Sequence, residues 1–356
     1  MAGSYRLDPA SATDRPVWLP TLRPMPPSFP PLRYLAAADV RAAMPPLDER
    51  LALAELTLTA LATPGGAELP PKIAVHPRPD GSFAHAMPAH LRAEAADGDL
   101  LGIKWIAGFG SNGPRGLPTL HGLVVLNDAA TGIPTAVLDA GPITAERTAA
   151  VSGVAIQHFA PNPGRRAPRA ALIGAGVQGR SHLAVLGHVI PGLELAIFDR
   201  HPERAEALAA AARDTSGIAA ARAASSARDA VEGADVVVTA ASFGPVRQLM
   251  TNDWLTPHVL VVPVDYATYC AAEVARDADL FLVDHRDQFL ANRDAGLFDG
   301  YPGPGAMLGE AIRGAWPRPN GRVVVTHLGV GLADVIFGAA ILRAAESRGL
   351  GVELAR

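Results

Sequence analysis

The chain has 356 residues, with 31 Lys+Arg against 35 Asp+Glu, a formal net charge of −4, and 49% hydrophobic residues. That length and balance suit a globular protein of roughly two domains, and the lack of a Lys/Arg block argues against a nucleic-acid partner. One cysteine, Cys270, excludes an intramolecular disulfide and a Cys-cluster metal site. No apolar leader follows Met1, and no run approaches the ~18 apolar residues of a membrane span. The expectation is a cytoplasmic protein with no membrane partner.

Residues 1–33 are proline-rich, from Pro20 to Pro31, and read as an extended arm or a plain tail. A short helix is expected near Asp39–Met44. A longer one covers 47–62, with Leu47, Leu51, Leu58 and Leu61 apolar and a stop at Pro64-Gly65-Gly66. Strand-like runs follow at 72–76, 82–87, 100–106, 122–128 and 134–139; Ala129-Ala130-Thr131-Gly132 joins the last two as a hairpin. This first part reads as an antiparallel sheet preceded by a helix. From Pro142 the pattern changes. A helix is expected over 144–159 with Thr144 as its N-cap. Strands at 170–173, 193–198, 235–240, 258–264, 280–283 and 322–326 then alternate with helices at 177–189 and 202–213, and a helix over 332–348 follows. Such alternation implies βαβ units and a parallel, doubly wound α/β sheet.

Gly174-Ala175-Gly176-Val177-Gln178-Gly179 forms a G-x-G-x-x-G between an expected strand and an expected helix. Each glycine has a physical use: Gly174 for the tight turn, Gly176 for close approach of a pyrophosphate, Gly179 for helix–strand packing. The helix N-terminus offers N–H groups to the phosphates. Asp199, at the end of the next strand, suits a ribose diol and favours NAD. Arg200 beside it leaves NADP open, because arginine there can accept a 2′-phosphate. His85/His90 and His182/His188 are five and six apart, not the i, i+4 spacing of a helical metal pair, so no metal is expected.

Four stretches make the sequence resemble the ornithine cyclodeaminase/μ-crystallin family. They are Gly102-Ile103-Lys104 with Asn112 and Gly116-Leu117-Pro118; Leu126-Asn127-Asp128 through Thr144-Ala145-Glu146-Arg147-Thr148-Ala149-Ala150; Ile173 to Gly179 with its glutamine; and Gly233-Ala234-Asp235-Val236-Val237. The resemblance runs from about Lys72 to about Ala340. It implies a Rossmann-type dinucleotide domain over 151–326. It also implies an α+β substrate and dimerisation domain over 34–150 that the C-terminal helix, in 327–356, completes. Members are homodimers that use NAD(H) or NADP(H) to move hydride at the α-carbon of an amino acid or cyclic imine.

By motif position the resemblance implies that Lys72, Lys104 and Arg147 hold the substrate carboxylate, with His85 and Met87 beside it. It implies that Asp265 handles the proton, with Lys104 also at the reacting centre. Thr148 and Ala240 are implied on the cofactor side. Two departures stand out. His85 stands where the ornithine enzymes carry a glutamate, which argues against a distal ammonium on the substrate. The loop after Asp265 carries Tyr266 and Tyr269 and is longer than the family's, which suits a larger or less charged side chain. Three activities follow: an amino- or imino-acid oxidoreductase, a cyclodeaminase-type ammonia lyase that recycles NAD, and a nicotinamide-binding protein without turnover.

Overall fold

The computed structural model describes residues 30–78, 81–164, 166–242 and 247–356. Its first sheet grows from period-2 sequence. Nine-residue strands at Phe83–Leu91 and Leu100–Gly108 bury alternate side chains, as a sheet must when one face lies on a core. Among the described residues this sheet holds β1 (Leu32–Leu35), β2 (Ala67–Glu68), β3 (Ile73–Val75), β4 (Phe83–Leu91), β5 (Leu100–Gly108), β6 (Leu120–Asn127) and β7 (Pro134–Asp139). It also holds the last strand, β16 (Val352–Leu354). The order is β16-β1-β7-β6-β5-β4-β2, with β3 paired to β4. The expected purely antiparallel sheet needs correction, because β1 runs parallel to β7. β1 also begins inside the stretch expected as an arm; Leu35 is fully buried and anchors it. The rest of that stretch, 1–29, lies outside the described residues.

In register, Met87 faces Lys104 and His85 faces Ile106 across β4 and β5. Period 2 therefore puts His85, Met87 and Lys104 on one side of the sheet. Helices α1 (Ala37–Ala42), α2 (Leu47–Leu61) and α3 (Ala140–Phe159) accompany it. The expected cap at Thr144 is corrected to Asp139, whose carboxylate accepts the Gly141 N–H at 2.8 Å. Pro142 is no obstacle there, because the first four N–H groups of a helix have no intrahelical partner.

The second sheet alternates with helices: β8 (Arg169–Ile173), α4 (Val177–Val189), β9 (Leu193–Phe198), α5 (Pro202–Arg213), β10 (Ile218–Ala223), α6 (Ala227–Val231), β11 (Val236–Thr239), β12 (Leu260–Pro263), α7 (Ala272–Arg276), β13 (Leu280–Val283), α8 (Arg286–Asp294), β14 (Ala306–Met307), α9 (Leu308–Arg313) and β15 (Val323–Thr326). Its described strands are all parallel, in the order β10-β9-β8-β11-β12-β15-β13-β14. Helices on both faces explain the unbroken apolar runs: β11, β12 and β15 are buried at every position. This is a Rossmann-type, doubly wound sheet. The succession of strands runs one way from β8 to β10 and the other way from β11 onward, and such a switch point is where doubly wound sheets take ligands.

Helix α10 (Gly331–Ser347) leaves β15 and returns to the first sheet. A β-carbon on its Gly338 would touch Val124 at 3.3 Å, so the contact is close. One core joins this helix, α2, α3 and one face of the parallel sheet. No described helix is long and apolar enough to cross a membrane.

Candidate active site

The glycine turn after β8 behaves as its three positions require. Gly174 has a φ of +108°, and a β-carbon on it would lie 2.4 Å from the Ala240 carbonyl oxygen. A β-carbon on Gly179 would lie 2.1 Å from Gly174 O, whereas one on Gly176 would meet nothing within 4 Å. Gly176 is the N-cap of α4 and supplies no side-chain hydrogen bond, and Val177 beside it is 73% exposed. Gln178 Oε1 is buried with no hydrogen-bond partner. Ala175 donates its N–H to Asp199 at 2.8 Å, and the other Asp199 oxygen accepts the His201 N–H at 2.9 Å. Arg200 is exposed next to it, with Nε 3.2 Å from His201 Nε2. The structure thus brings Ala240 and Asp199 against the glycine turn, with Arg200 next in the chain. Thr148 sits on α3, and its hydroxyl bonds back to Thr144 O at 2.7 Å.

The cationic residues meet at the other lobe. Lys104 is 1% exposed, and its Nζ lies 2.6 Å from Oδ2 of the fully buried Asp334. Arg147 Nε reaches Oδ1 of the same carboxylate at 3.3 Å. Burial lowers Lys104 to about 7, against the opposing pull of Asp334. Lys72 is lowered to about 8, first by burial and then by Arg147. Its Nζ donates to Tyr266 Oη at 3.0 Å and to Leu328 O at 2.5 Å. His85 stacks on Phe83, ring centroids 4.4 Å apart. Burial and the neighbouring Lys72 push it down to about 4, so it is neutral at pH 7.

Asp265 lies just past β12, at the carboxyl end of the parallel sheet. It accepts the Thr239 hydroxyl at 2.6 Å and the Ala241 N–H at 3.0 Å. Burial raises it to about 7 despite those bonds. The next residue, Tyr266, has a φ of +59°, a left-handed conformation that costs a bulky side chain roughly 1–2 kcal/mol. Its ring stacks on Phe298 at 5.4 Å. Tyr266 therefore ties the Asp265 loop to Lys72.

The sequence did not flag Asp334, Asp284 or Gln288, and it offered Tyr266 as shaping a pocket, not as a partner of Lys72. Asp334 had a signal: it is the one charged residue in the apolar run 331–342 that opens this helix, and a buried carboxylate demands a partner. Among the described residues no group of three or more His, Cys, Asp or Glu side chains is placed to hold a metal ion.

The family model for the ornithine cyclodeaminase/mu-crystallin family matches residues 40–342. The nodulation efficiency protein NfeD of Rhizobium meliloti is 35% identical over 328 residues, covering 90% of this chain and 98% of its own. The ketimine reductase mu-crystallin of Mus musculus is 30% identical over 277 residues, 76% of this chain and 83% of its own. The structure of the Thermococcus litoralis Δ1-pyrroline-2-carboxylate reductase in complex with NADH and L-proline has the same fold, with a TM-score of 0.78 at 23% identity over 90% of this chain and 99% of that one. On the extent of the family match and the near full-length likeness to NfeD, the chain belongs to the ornithine cyclodeaminase/mu-crystallin family.

Proposed function

We propose that this protein is an NAD(P)-dependent oxidoreductase that moves hydride at the α-carbon of an L-amino acid or cyclic imino acid. The observation that carries this reading is the 3.0 Å bond from Lys72 to Tyr266, which joins the cationic cluster to the Asp265 loop. Cations for a carboxylate and a titratable group for a nitrogen then face one site. The printed name of the mouse relative, a ketimine reductase, fits the same chemistry.

The residues present fit a dinucleotide: Gly176 faces open space, α4 has no side-chain cap, and Gln178 Oε1 has no partner. Gly174, Ala175, Gly176, Val177, Gln178 and Gly179 would hold the pyrophosphate at the α4 N-terminus, with Ala240 and Thr148 lining the crevice. Asp199 would take the ribose diol and Arg200 the 2′-phosphate of NADP; the carboxylate favours NAD. When bound, the nicotinamide supplies or accepts the hydride.

Lys72, Lys104 and Arg147 grip the substrate carboxylate, Arg147 with a planar fork and the lysines as point charges. His85 and Met87 face the substrate side chain. Asp265 gives a proton to the substrate nitrogen in the reductive direction and takes one in the oxidative direction; a carboxyl poised near neutrality suits both. The uncharged His85 offers no counter-ion to a distal ammonium, which favours net redox over cyclodeamination.

Residues 34–150 with 327–356 form the substrate and dimerisation unit in this reading, and 151–326 the nucleotide unit. We also propose a homodimer through the outer face of the first sheet, where Ile73, Trp105 and Leu123 stand exposed on one side. A free buried thiol at Cys270 and use of a dinucleotide pool agree with a cytoplasmic location. The test is an assay of the purified protein with NADH or NADPH and Δ1-pyrroline-2-carboxylate, and in reverse with a panel of L-amino acids. Net loss of reduced cofactor without ammonia supports the proposal. Ammonia from L-ornithine with no net cofactor change would move it to the lyase class. Cofactor binding with neither product would leave a binding protein.

A further inference from the structure

The loop between β15 and α10 has no part in the roles above, yet it touches two of the cations. Its Gly329 has a φ of +74°. A β-carbon there would lie 2.3 Å from Arg147 Nη1 and 2.6 Å from Nη2. The guanidinium therefore rests directly against the Gly329 α-carbon, where only glycine fits. The ion pair to Asp334 engages the opposite part of the group, Nε, at 3.3 Å. The carbonyl just before Gly329, Leu328 O, accepts the Lys72 ammonium at 2.5 Å.

Both polar groups of Gly329 are held by buried side chains from one short stretch. Its N–H donates to Asp284 Oδ2 at 2.8 Å, and its carbonyl accepts from Gln288 Nε2 at 3.0 Å. Asp284 is 2% exposed and Gln288 1%. Asp284 follows β13 and spends its other oxygen on the His285 N–H at 2.9 Å. Gln288 projects from the first turn of α8. Burying an amide and a carboxylate is unfavourable unless each is bonded, and here they are bonded to the peptide on which the cations rest.

We infer that Asp284 and Gln288 are positioning residues: by gripping the N–H and the carbonyl of Gly329 they set the surface under the Arg147 guanidinium and the Leu328 carbonyl that orients Lys72. This rests on the reading of Arg147 and Lys72 as carboxylate holders. Neither residue touches the substrate. They act through a backbone loop that belongs to the nucleotide-binding sheet, so the carboxylate grip of one lobe is registered by the other.

The test uses the full-length protein with NADH bound and two variants, Gln288→Met, which conserves volume while removing the donor, and Asp284→Asn. The first readout needs no substrate: phenylglyoxal modification of Arg147 followed by mass spectrometry, with Arg50 as internal control. Arg147 should be modified ~10-fold faster in both variants with Arg50 unchanged, since a selective change separates local release from general loosening. The second readout is steady-state kinetics with Δ1-pyrroline-2-carboxylate. KM should rise ~10-fold while kcat stays within ~3-fold and the KM for NADH holds, the split expected of lost ground-state binding. Added to Arg147→Ala, Gln288→Met should raise KM by much less than its full ~10-fold, the remainder passing through the Leu328 carbonyl to Lys72. Asp284 also supports the charge of Lys72, so in Asp284→Asn the loss of imine affinity on raising the pH should begin at lower pH, and in Gln288→Met it should not. Unchanged Arg147 modification in both variants, or a full KM rise in the Arg147→Ala background, overturns the inference. Faster modification with an unmoved KM upholds the positioning and instead removes Arg147 from the carboxylate grip.

Discussion

Asp265 shows what one buried carboxyl can control. Its acid form is favoured to about 7 because burial outweighs its two hydrogen bonds. A group raised in this way contributes stability at acid pH that is lost as pH rises through about 7. Asn at this position keeps both bonds, since the Thr239 hydroxyl can turn to accept. Asp265→Asn should therefore fold and lower turnover by ~100-fold or more. Its melting temperature relative to the parent should be more favourable at pH 8 than at pH 5; a difference that is flat with pH would show that Asp265 is not shifted.

The lysines titrate with the opposite consequence. Lys104 and Lys72 lose charge as pH passes about 7 and about 8. Affinity for a carboxylate substrate should fall in two limbs over that range. Lys72→Arg keeps its charge, so it should remove the upper limb and leave the lower one, as read from KM across a pH series.

At the scale of elements, the glycine turn separates structure from binding. Gly174 is tied by its φ and by the Ala240 carbonyl, whereas Gly176 faces open space. Gly176→Ala should retain the parent melting temperature and weaken NADH at least ~10-fold, because the methyl group occupies the ligand's side of the turn. Gly174→Ala should lose stability outright, with a strained backbone alone worth ~1–2 kcal/mol. Fluorescence titration and thermal melting distinguish the two.

The same scale shows where local signals fail. The helix α3 was legible, but its start moved from Thr144 to Asp139, because both residues are good caps and only the structure shows which oxygen reaches an amide. The strand β10, Ile218-Ala-Ala-Ala-Arg-Ala, was missed. Alanine favours helix, and pairing with β9 along the sheet edge overrides that preference. The short helices α6 to α9 carry too few residues for a periodic pattern.

For the whole molecule, the first sheet has an apolar side that its own helices do not cover. Trp105 is 47% exposed and pairs in register with Leu123 on the outer face. A charge there should oppose association without disturbing the core, since Lys104 on the inner face is separately held. Trp105→Glu should convert a dimer into monomers in light scattering at unchanged far-ultraviolet circular dichroism; a monomeric parent protein would dismiss the interface.

Read alone, the sequence determined the two periodicities and the glycine turn with its acidic partner, and its motif-level resemblance to the family put forward Lys72, Lys104, Arg147 and Asp265 as candidates. Those signals are local or carried by short motifs, so they survive without a fold. The partners of these groups were decided only in three dimensions. Asp334 lies 187 positions from Arg147, and Gly329 lies 45 from Asp284. Nothing in local pattern ranks such pairs, because a buried charge selects its counter-ion by proximity after the chain has closed. The return of α10 to the first sheet is what brings Asp334 to Lys104 and Arg147.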